Sequence, residues 1–199
     1  MLKYALLGFL LKQPMTGYDL ERWIRSSLSY FWPAQLSQVY RTLKQLEDEG
    51  LVASEIAPQE SRPDRRVYSA TPSGLTDFAK WITPFVTEID AIRVPFLVRF
   101  FMSGIRSPDD IITQLRILRG LYVKHEEELA QDVSAGIEQA KSTFPHTDLE
   151  PLLWDATRRA GELMTQAWIV WIDETIARLQ DYQKQRQTKA DKPPSPRRK

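Results

Sequence analysis

The spacing of apolar side chains predicts three helices in the first 50 residues of the chain. Residues 2–11 are apolar around most of a helical circumference, which is typical of a buried helix. The second helix begins at Thr16, a residue type that caps helices well, and runs to about Ser27. The third covers residues 34–49 and ends at Gly50, where a glycine cap belongs. The side chains expected to point inward are Tyr18, Leu20, Trp23, Ile24 and Leu28 in the second helix and Leu36, Val39, Tyr40, Leu43 and Leu46 in the third.

Two short runs typical of β-strands follow the third helix. They cover residues 51–53 and 67–69, and the loop between them, residues 58–66, is rich in turn-forming serine, proline and aspartate. Thr71-Pro72 then indicates the start of another helix. Three helices followed by strand, loop and strand is the order of a winged helix-turn-helix, a DNA-binding plan in which the third helix enters the major groove.

The rest of the chain, up to residue 182, shows only the apolar spacing of helices. The predicted helices cover residues 72–89, 94–101, 107–144 and 148–182. Residues 183–199 contain no apolar side chain except Ala190, and their run of prolines forbids a helix. We therefore expect this end of the chain to be disordered.

Charge is distributed unevenly, although the total is only +1. The net charge is +1 over residues 1–75, −6 over residues 76–182 and +6 over residues 183–199. Because an acidic segment is repelled by phosphate groups, the first and last segments are the candidates for binding an anionic partner.

Several classes of function find no support in the residues present. With no cysteine, the chain has no disulfide, thiolate metal site or cysteine nucleophile. The two histidines, His125 and His146, lie 21 residues apart and are better explained as surface or core residues than as metal ligands. The sequence also shows no phosphate-cradling glycine loop and no nucleophile with a base. It therefore predicts neither an enzyme nor a metal or cofactor site.

The expected location is the cytoplasm. The apolar start of the chain contains Lys3 and leads to no small-residue cleavage site, unlike a secretory signal. No segment reaches the roughly 18 apolar residues that a membrane span requires. The absence of cysteine fits a reducing compartment.

The third helix presents a polar face once its inward residues are assigned to the core. Glutamine can pair with adenine through two hydrogen bonds and arginine with guanine, whereas serine and lysine suit phosphates. The acidic residues 47–49 lie at the far end, so we expect the N-terminal half to face DNA. Taken alone, the same pattern also fits an amphipathic helix with a solvated face. The candidate contact residues are Gln35, Ser37, Gln38, Arg41, Thr42, Lys44 and Gln45.

Three arginines, Arg62, Arg65 and Arg66, surround the turn between the two predicted strands. In a winged fold this loop would reach a neighbouring minor groove or a row of phosphates. An arginine-rich loop is often only solvated, but its position after a three-helix unit favours DNA binding.

Four segments of the first 75 residues, in this order, resemble the PadR family of transcriptional regulators. They are residues 6–10 with 14–20 (LLGFL and PMTGYDL), 39–52 (VYRTLKQLEDEGLV), 62–68 and 71–74 (TPSG). The sequence departs from the family pattern at Ser61, where glycine is frequent, and at Thr16, where histidine is common. The downstream helices resemble the dimerisation region of the longer, AphA-like members of the family.

The resemblance implies a homodimer that binds a pseudo-palindromic operator, most often as a repressor. It implies DNA contacts by the residues of helix 34–49 and wing 58–66, and it adds Tyr40, whose ring would be buried while its hydroxyl reaches a phosphate. A winged-helix protein–protein interaction module without specific DNA binding is the alternative function.

The last helix carries more apolar surface than a single helix pair can cover, which also predicts a dimer. Its candidate dimerisation residues are Leu163, Ala167, Trp168 and Trp171. Trp168 and Trp171, with Trp154, are alternatively the lining of a pocket for a small aromatic effector, although packing in the core or dimer is favoured.

The predicted fold is mainly α with a β wing. We expect a winged helix-turn-helix domain over residues 1–75, a linking helix and helical dimerisation domain over 76–182, and a basic, proline-rich tail over 183–199.

Overall fold

The computed structural model describes the chain in four stretches, residues 1–29, 31–58, 64–89 and 91–190. The described residues form two compact units. Unit 1 contains those of Met1–Ile89 and Leu129–Gly161, and unit 2 contains those of Asp90–Glu128 and Glu162–Lys199.

The three predicted N-terminal helices are present as α1 (Leu2–Lys12), α2 (Gly17–Ser27) and α3 (Leu36–Asp48). Thr16 caps α2 as expected: its Oγ1 accepts a hydrogen bond from the backbone N–H of Asp19, and Asp19 Oδ2 accepts one from the backbone N–H of Thr16, both at 3.2 Å. Gly50 has a φ of +69° just after α3, the left-handed conformation that ends many helices.

Most of the predicted inward side chains are in the core. Leu20, Trp23, Ile24, Val39, Leu43 and Leu46 are buried, and Leu28 and Leu36 are half-buried. The prediction is wrong for Tyr18, which is 67% exposed because it lies about 200° around α2 from Leu20. Tyr40 is 41% exposed, so it also lies outside the core.

Three strands form an antiparallel sheet in the order β1-β3-β2: β1 (Met15–Thr16), β2 (Val52–Ala57) and β3 (Arg65–Ala70). The β2–β3 hairpin, called the wing from here on, confirms the predicted mainly α fold with a β wing, and both strands are longer than predicted. The sequence did not predict β1, since two residues are too few to show an alternation. It exists through pairing of Met15 with Tyr68 and of Thr16 with Val67.

A segment from the second half of the chain completes unit 1. α7 (Ser134–Thr143) packs on α2, and a β-carbon on Gly136 would lie 2.4 Å from the backbone oxygen of Ser26. Phe144 joins the core of the N-terminal helices. The compact unit that holds the winged helices therefore extends beyond residue 75.

Two helices differ from their predicted extents before the last one begins. α4 (Pro72–Ile82) stops before the predicted residue 89, because Pro84 has no backbone N–H with which to continue the helical hydrogen bonds. The single helix predicted over 107–144 is α6 (Pro108–Glu128) followed by a π-helical turn, Leu129–Val133, and α7.

The last helix, α8 (Leu149–Ala190), passes the predicted end at Tyr182. The disorder expected from residue 183 is therefore wrong for residues 183–190. These residues are mainly lysine, arginine and glutamine, which favour helix even without apolar partners. The prolines of the predicted tail lie outside the described residues.

Unit 2 consists of helices packed on one another. It contains α5 (Pro95–Phe101), α6 and the second part of α8, with Leu115 and Ile172 fully buried. Arg119 of α6 donates hydrogen bonds to both carboxylate oxygens of Asp173 of α8, at 2.7 and 3.0 Å. In the described part of the chain no helix is long and apolar enough to cross a membrane.

Candidate nucleic-acid interface

α3 is anchored on one side and open on the other. Val39, Leu43 and Leu46 are fully buried, and they fix the rotation of the helix about its axis. The opposite side carries the predicted contact residues. Those that are exposed are Gln35, Ser37, Gln38, Tyr40, Arg41, Lys44 and Gln45, and Thr42 is half-buried.

The start of α3 orients one of the predicted base-reading side chains. The backbone N–H of Gln35 donates a hydrogen bond to Oε1 of Gln38 at 2.8 Å. This bond holds the Gln38 amide over the first turn while its Nε2 hydrogens and the second lone pair of Oε1 remain available. The arrangement leaves Gln38 able to offer the donor–acceptor pair that adenine requires.

Arg41 and Lys44 supply positive charge on the same face. Both are exposed, and neither has an ion-pair partner within the described residues. Unneutralised charges of this kind are what a phosphate backbone attracts, because each phosphate contact releases counterions.

The C-terminal end of α3 is occupied by contacts within the protein. Gln45 Nε2 donates to Glu49 at 2.7 Å, and the Lys3 ammonium donates to the same carboxylate at 2.8 Å. The Lys3 hydrogen bond is the main reason that the pKa of Glu49 lies below its ordinary value. Of the predicted contact residues, Gln45 is thus tied to the end of the helix.

Tyr40 connects α3 with the start of α2. Its ring lies so close to Gly17 that a β-carbon on that glycine would be 2.6 Å from Cε1 of the ring. The ring is half exposed rather than buried as the resemblance implied, and its hydroxyl has no hydrogen-bond partner within the described residues.

The arginines of the wing have different surroundings. Arg65 is exposed and has no ion-pair partner in the part of the chain that the structure describes. Arg66 Nη2 contacts both carboxylate oxygens of Glu47, at 2.9 and 2.8 Å, and Arg66 Nε donates to Ser54 Oγ at 2.8 Å. Arg62 lies outside the described residues.

Sequence reasoning did not identify the partners of Arg66. Ser54 Oγ donates to Glu47 Oε1 at 2.5 Å, and this hydrogen bond is the largest of the influences that lower the pKa of Glu47, with Arg66 also lowering it. The register of the hairpin places Ser54 and Arg66 on the same face. The alternation of side chains within each strand was the one sequence pattern that could have indicated this. That this face meets the end of α3 is a property of the packing.

The predicted dimerisation residues lie in unit 2. Trp168 stacks on Tyr122 with ring centroids 5.5 Å apart, and Trp171 makes edge contacts with Phe100 at 5.3 Å and with Trp168 at 5.6 Å. Leu163 and Ala167 are exposed. A surface pocket of about 240 Å³ is lined by Leu97, Ala167, Trp168 and Trp171.

The third predicted aromatic residue, Trp154, belongs to unit 1. There it packs against Val133 and Ile137, and its ring lies 5.8 Å from that of His146. Of the three tryptophans predicted as the possible lining of an effector pocket, Trp168 and Trp171 therefore line the pocket of unit 2, and Trp154 lies elsewhere.

Two family models together match most of the chain. Residues 6–80 match the model described as "Transcriptional regulator PadR-like family", and residues 92–180 match "Virulence activator alpha C-term". The probable transcriptional regulator Rv1176c of Mycobacterium tuberculosis is 30% identical over 190 residues, which cover 90% of this chain and 98% of that protein.

Two further relatives have solved structures. The virulence activator AphA of Vibrio cholerae superposes with a TM-score of 0.69 at 28% identity, covering 92% of this chain and 99% of that one. PadR of Bacillus subtilis in complex with operator DNA gives 0.72 at 22% identity, over 89% and 98% of the two chains, and it has also been solved with p-coumaric acid. In sequence, this negative transcriptional regulator is 32% identical over 103 residues, 51% of this chain and 57% of that protein.

Proposed function

Because the chain belongs to the PadR-like family of transcriptional regulators, with a C-terminal region of the virulence-activator type, we propose that it represses transcription by binding a pseudo-palindromic operator as a homodimer. The observation that carries the proposal is the face of α3. Arg41 and Lys44, which have no ion-pair partner among the described residues, and the oriented Gln38 lie opposite a fully buried side. The helix can therefore contact a DNA groove while its apolar side stays in the core.

The proposed contacts follow from these surroundings. Gln38 and Arg41 read base edges, and the other predicted contact residues of α3 bind phosphates and sugars. Arg65 of the wing binds the phosphates of the flanking DNA, together with Arg62. The remaining proposed contact residues are Gln35, Ser37, Tyr40, Thr42, Lys44 and Gln45.

The proposed dimer buries apolar surface that unit 2 leaves open. Monomeric proteins rarely expose a large contiguous apolar patch. A second copy would cover it with the self-complementarity that a two-fold axis requires, and Leu163, Ala167, Trp168 and Trp171 would contribute. The exposed apolar side chains of unit 2 include Val98, Phe101, Met102, Ile105, Ile117, Leu121, Leu163, Met164 and Val170.

A repressing role and a small aromatic effector are supported by Bacillus subtilis PadR, which is a negative regulator and has been solved with p-coumaric acid. In this chain the pocket beside Trp168 and Trp171 is the proposed effector site, since two indoles offer a stacking surface to a flat ring. Packing within the dimer is the competing use of the same surface.

The test is selection of genomic fragments on the purified full-length protein, followed by fluorescence anisotropy with the selected duplex at several salt concentrations. We expect tight binding to the selected duplex, and a logarithm of affinity that falls linearly with the logarithm of salt concentration. Equal affinity for selected and scrambled duplexes would favour the protein–protein interaction module instead.

A further inference from the structure

Arg66 is held by two partners from different elements. Its Nη2 spans the two oxygens of Glu47 in the last turn of α3, and its Nε reaches the hydroxyl of Ser54 on β2. Ser54 completes a closed ring by donating its own proton to Glu47. In this ring the carboxylate accepts three hydrogen bonds, which makes it a strong anchor for the guanidinium.

The geometry of the sheet explains why these three side chains meet. Ser54 pairs with Tyr68 and Arg66 pairs with Ile56, so Ser54 and Arg66 are diagonal neighbours on one face of the wing. The Tyr68 side chain beneath them is buried, and its ring centroid lies 5.5 Å from the guanidinium carbon of Arg66. The ring of hydrogen bonds therefore ties both strands of the wing to the end of α3.

We infer that Arg66 is a positioning residue, which holds the wing at a fixed angle to α3 through Glu47 and Ser54 and does not itself bind phosphate. The inference rests on the proposed function. Glu47 already neutralises the charge of Arg66, so the pair offers little net attraction to DNA, whereas Arg65 is unpaired within the described residues. α3 and the wing touch DNA at separate places, so their relative angle decides whether both sets of contacts form together.

The first test compares Glu47→Gln with Asp48→Asn, a matched loss of one negative charge at the same end of α3. Asp48 is exposed and outside the ring. Glu47→Gln is expected to weaken binding to the selected duplex about tenfold, because a charged anchor is lost, while scrambled DNA is bound at least as well. Asp48→Asn should leave the ratio of the two affinities within about twofold of wild type. If Arg66 instead binds phosphate, Glu47→Gln frees it and tightens binding to both duplexes, which overturns the inference.

The second test uses substitutions that preserve the net charge. Arg66→Lys keeps the positive charge, but its single ammonium cannot hydrogen-bond Glu47 and Ser54 as the planar guanidinium does, so it should lose selectivity like Glu47→Gln. The matched control is Arg116→Lys, at an exposed arginine of unit 2, which should keep the selectivity of wild type. In the double variant with Glu47→Gln and Arg66→Gln, the slope of log affinity against log salt should stay at the wild-type value. A slope lower in magnitude by about one would identify Arg66 as a phosphate contact and overturn the inference.

Each variant is first checked for folding by urea unfolding and for assembly by sedimentation. If Glu47→Gln does not fold, Ser54→Ala replaces it, because that substitution removes only one hydroxyl. The expected result is a loss of selectivity of about threefold, and unchanged selectivity would contradict the inference. If the wild-type protein shows no sequence preference, the proposed function is refuted. If the wild type is selective but the variants keep its selectivity, only the inference about Arg66 is refuted.

Discussion

The ring of Tyr40 on α3 occupies the space that a side chain at Gly17 would need, with only 2.6 Å between Cε1 and a β-carbon placed there. The start of α2 and the side of α3 that is proposed to face DNA therefore touch through the contact of Tyr40 with Gly17. Because the ring is half exposed, a β-carbon at position 17 can displace it toward solvent, which a buried ring would not allow.

Gly17→Ala is accordingly expected to displace the Tyr40 ring. Its effect on the free energy of operator binding should be larger than its effect on the free energy of unfolding. A shift of about 1 kcal/mol or less in the free energy of unfolding is expected from urea titration. The matched control is Gly17→Ala in a Tyr40→Ala background, where the clash is absent. An equal loss of affinity in both backgrounds would show that the effect does not pass through Tyr40.

Phe144 should stabilise the winged helices although it follows α7. Its ring is buried, with a centroid 4.6 Å from that of Trp23. Phe144→Ala is expected to lower the free energy of unfolding by about 3–5 kcal/mol in urea titration, the range for a large ring removed from a core. The control, Ile56→Ala, changes a side chain that is 68% exposed and should alter the free energy by less than about 0.5 kcal/mol.

On the same grounds, residues 1–82 expressed alone should be less stable than the full chain and bind operator poorly. That fragment lacks Phe144 and α7, which cover α2. A fragment that unfolds at the same urea concentration as the full chain would contradict the assignment of residues 129–161 to the core of unit 1.

Substitutions of Gln38 and Arg41 on α3 should have different effects on DNA binding. Gln38→Ala is expected to relax base preference at one operator position, and Arg41→Ala to weaken binding by about 1–3 kcal/mol, the value for a bidentate base contact. The measurement is competition anisotropy with operator variants. Arg116→Ala, an exposed arginine of unit 2, is the control. If the double variant at residues 38 and 41 binds operator as wild type does, α3 is not the reading helix.

The ion pair of Glu49 with Lys3 predicts a loss of stability in acid. The pKa of Glu49 is lowered from its ordinary 4.5 by the Lys3 hydrogen bond. The pair therefore stabilises the fold above pH 4.5, and this contribution is lost as the pH falls through the lower pKa of the folded state. Between about pH 5 and about pH 3, the urea midpoint of Glu49→Gln should fall less than that of wild type or of Asp48→Asn. Parallel curves for all three proteins would contradict the prediction.

The proposed dimer predicts that a charge on the open face of unit 2 gives monomers. Leu163→Glu is the sharpest variant, because Leu163 is 50% exposed, whereas Trp168 and Trp171 also pack within unit 2. We expect sedimentation at the monomer mass and loss of most operator affinity, since each winged domain alone makes few contacts. A wild-type protein that sediments as a monomer at micromolar concentration and still binds tightly would refute the dimer.

Local sequence patterns determined the order of the N-terminal elements. Thr16 was identified as a helix cap and Gly50 as a helix end from their residue types and their places beside apolar periodicity, and the structure contains both. Caps and amphipathic faces are short-range properties, because the groups that satisfy them lie within a few residues. The PadR family was recognisable for the same reason, since its motifs are contiguous segments of this winged unit.

The tertiary structure decided which distant side chains meet. Nothing in the local pattern shows that Phe144 completes the core around Trp23, that Met15 and Thr16 form a strand against β3, or that Arg66 is bound by Glu47. An arginine in a wing has the same local sequence whether it faces DNA or a carboxylate. The difference depends on the angle at which the hairpin packs on α3, and buried side chains from both elements set that angle.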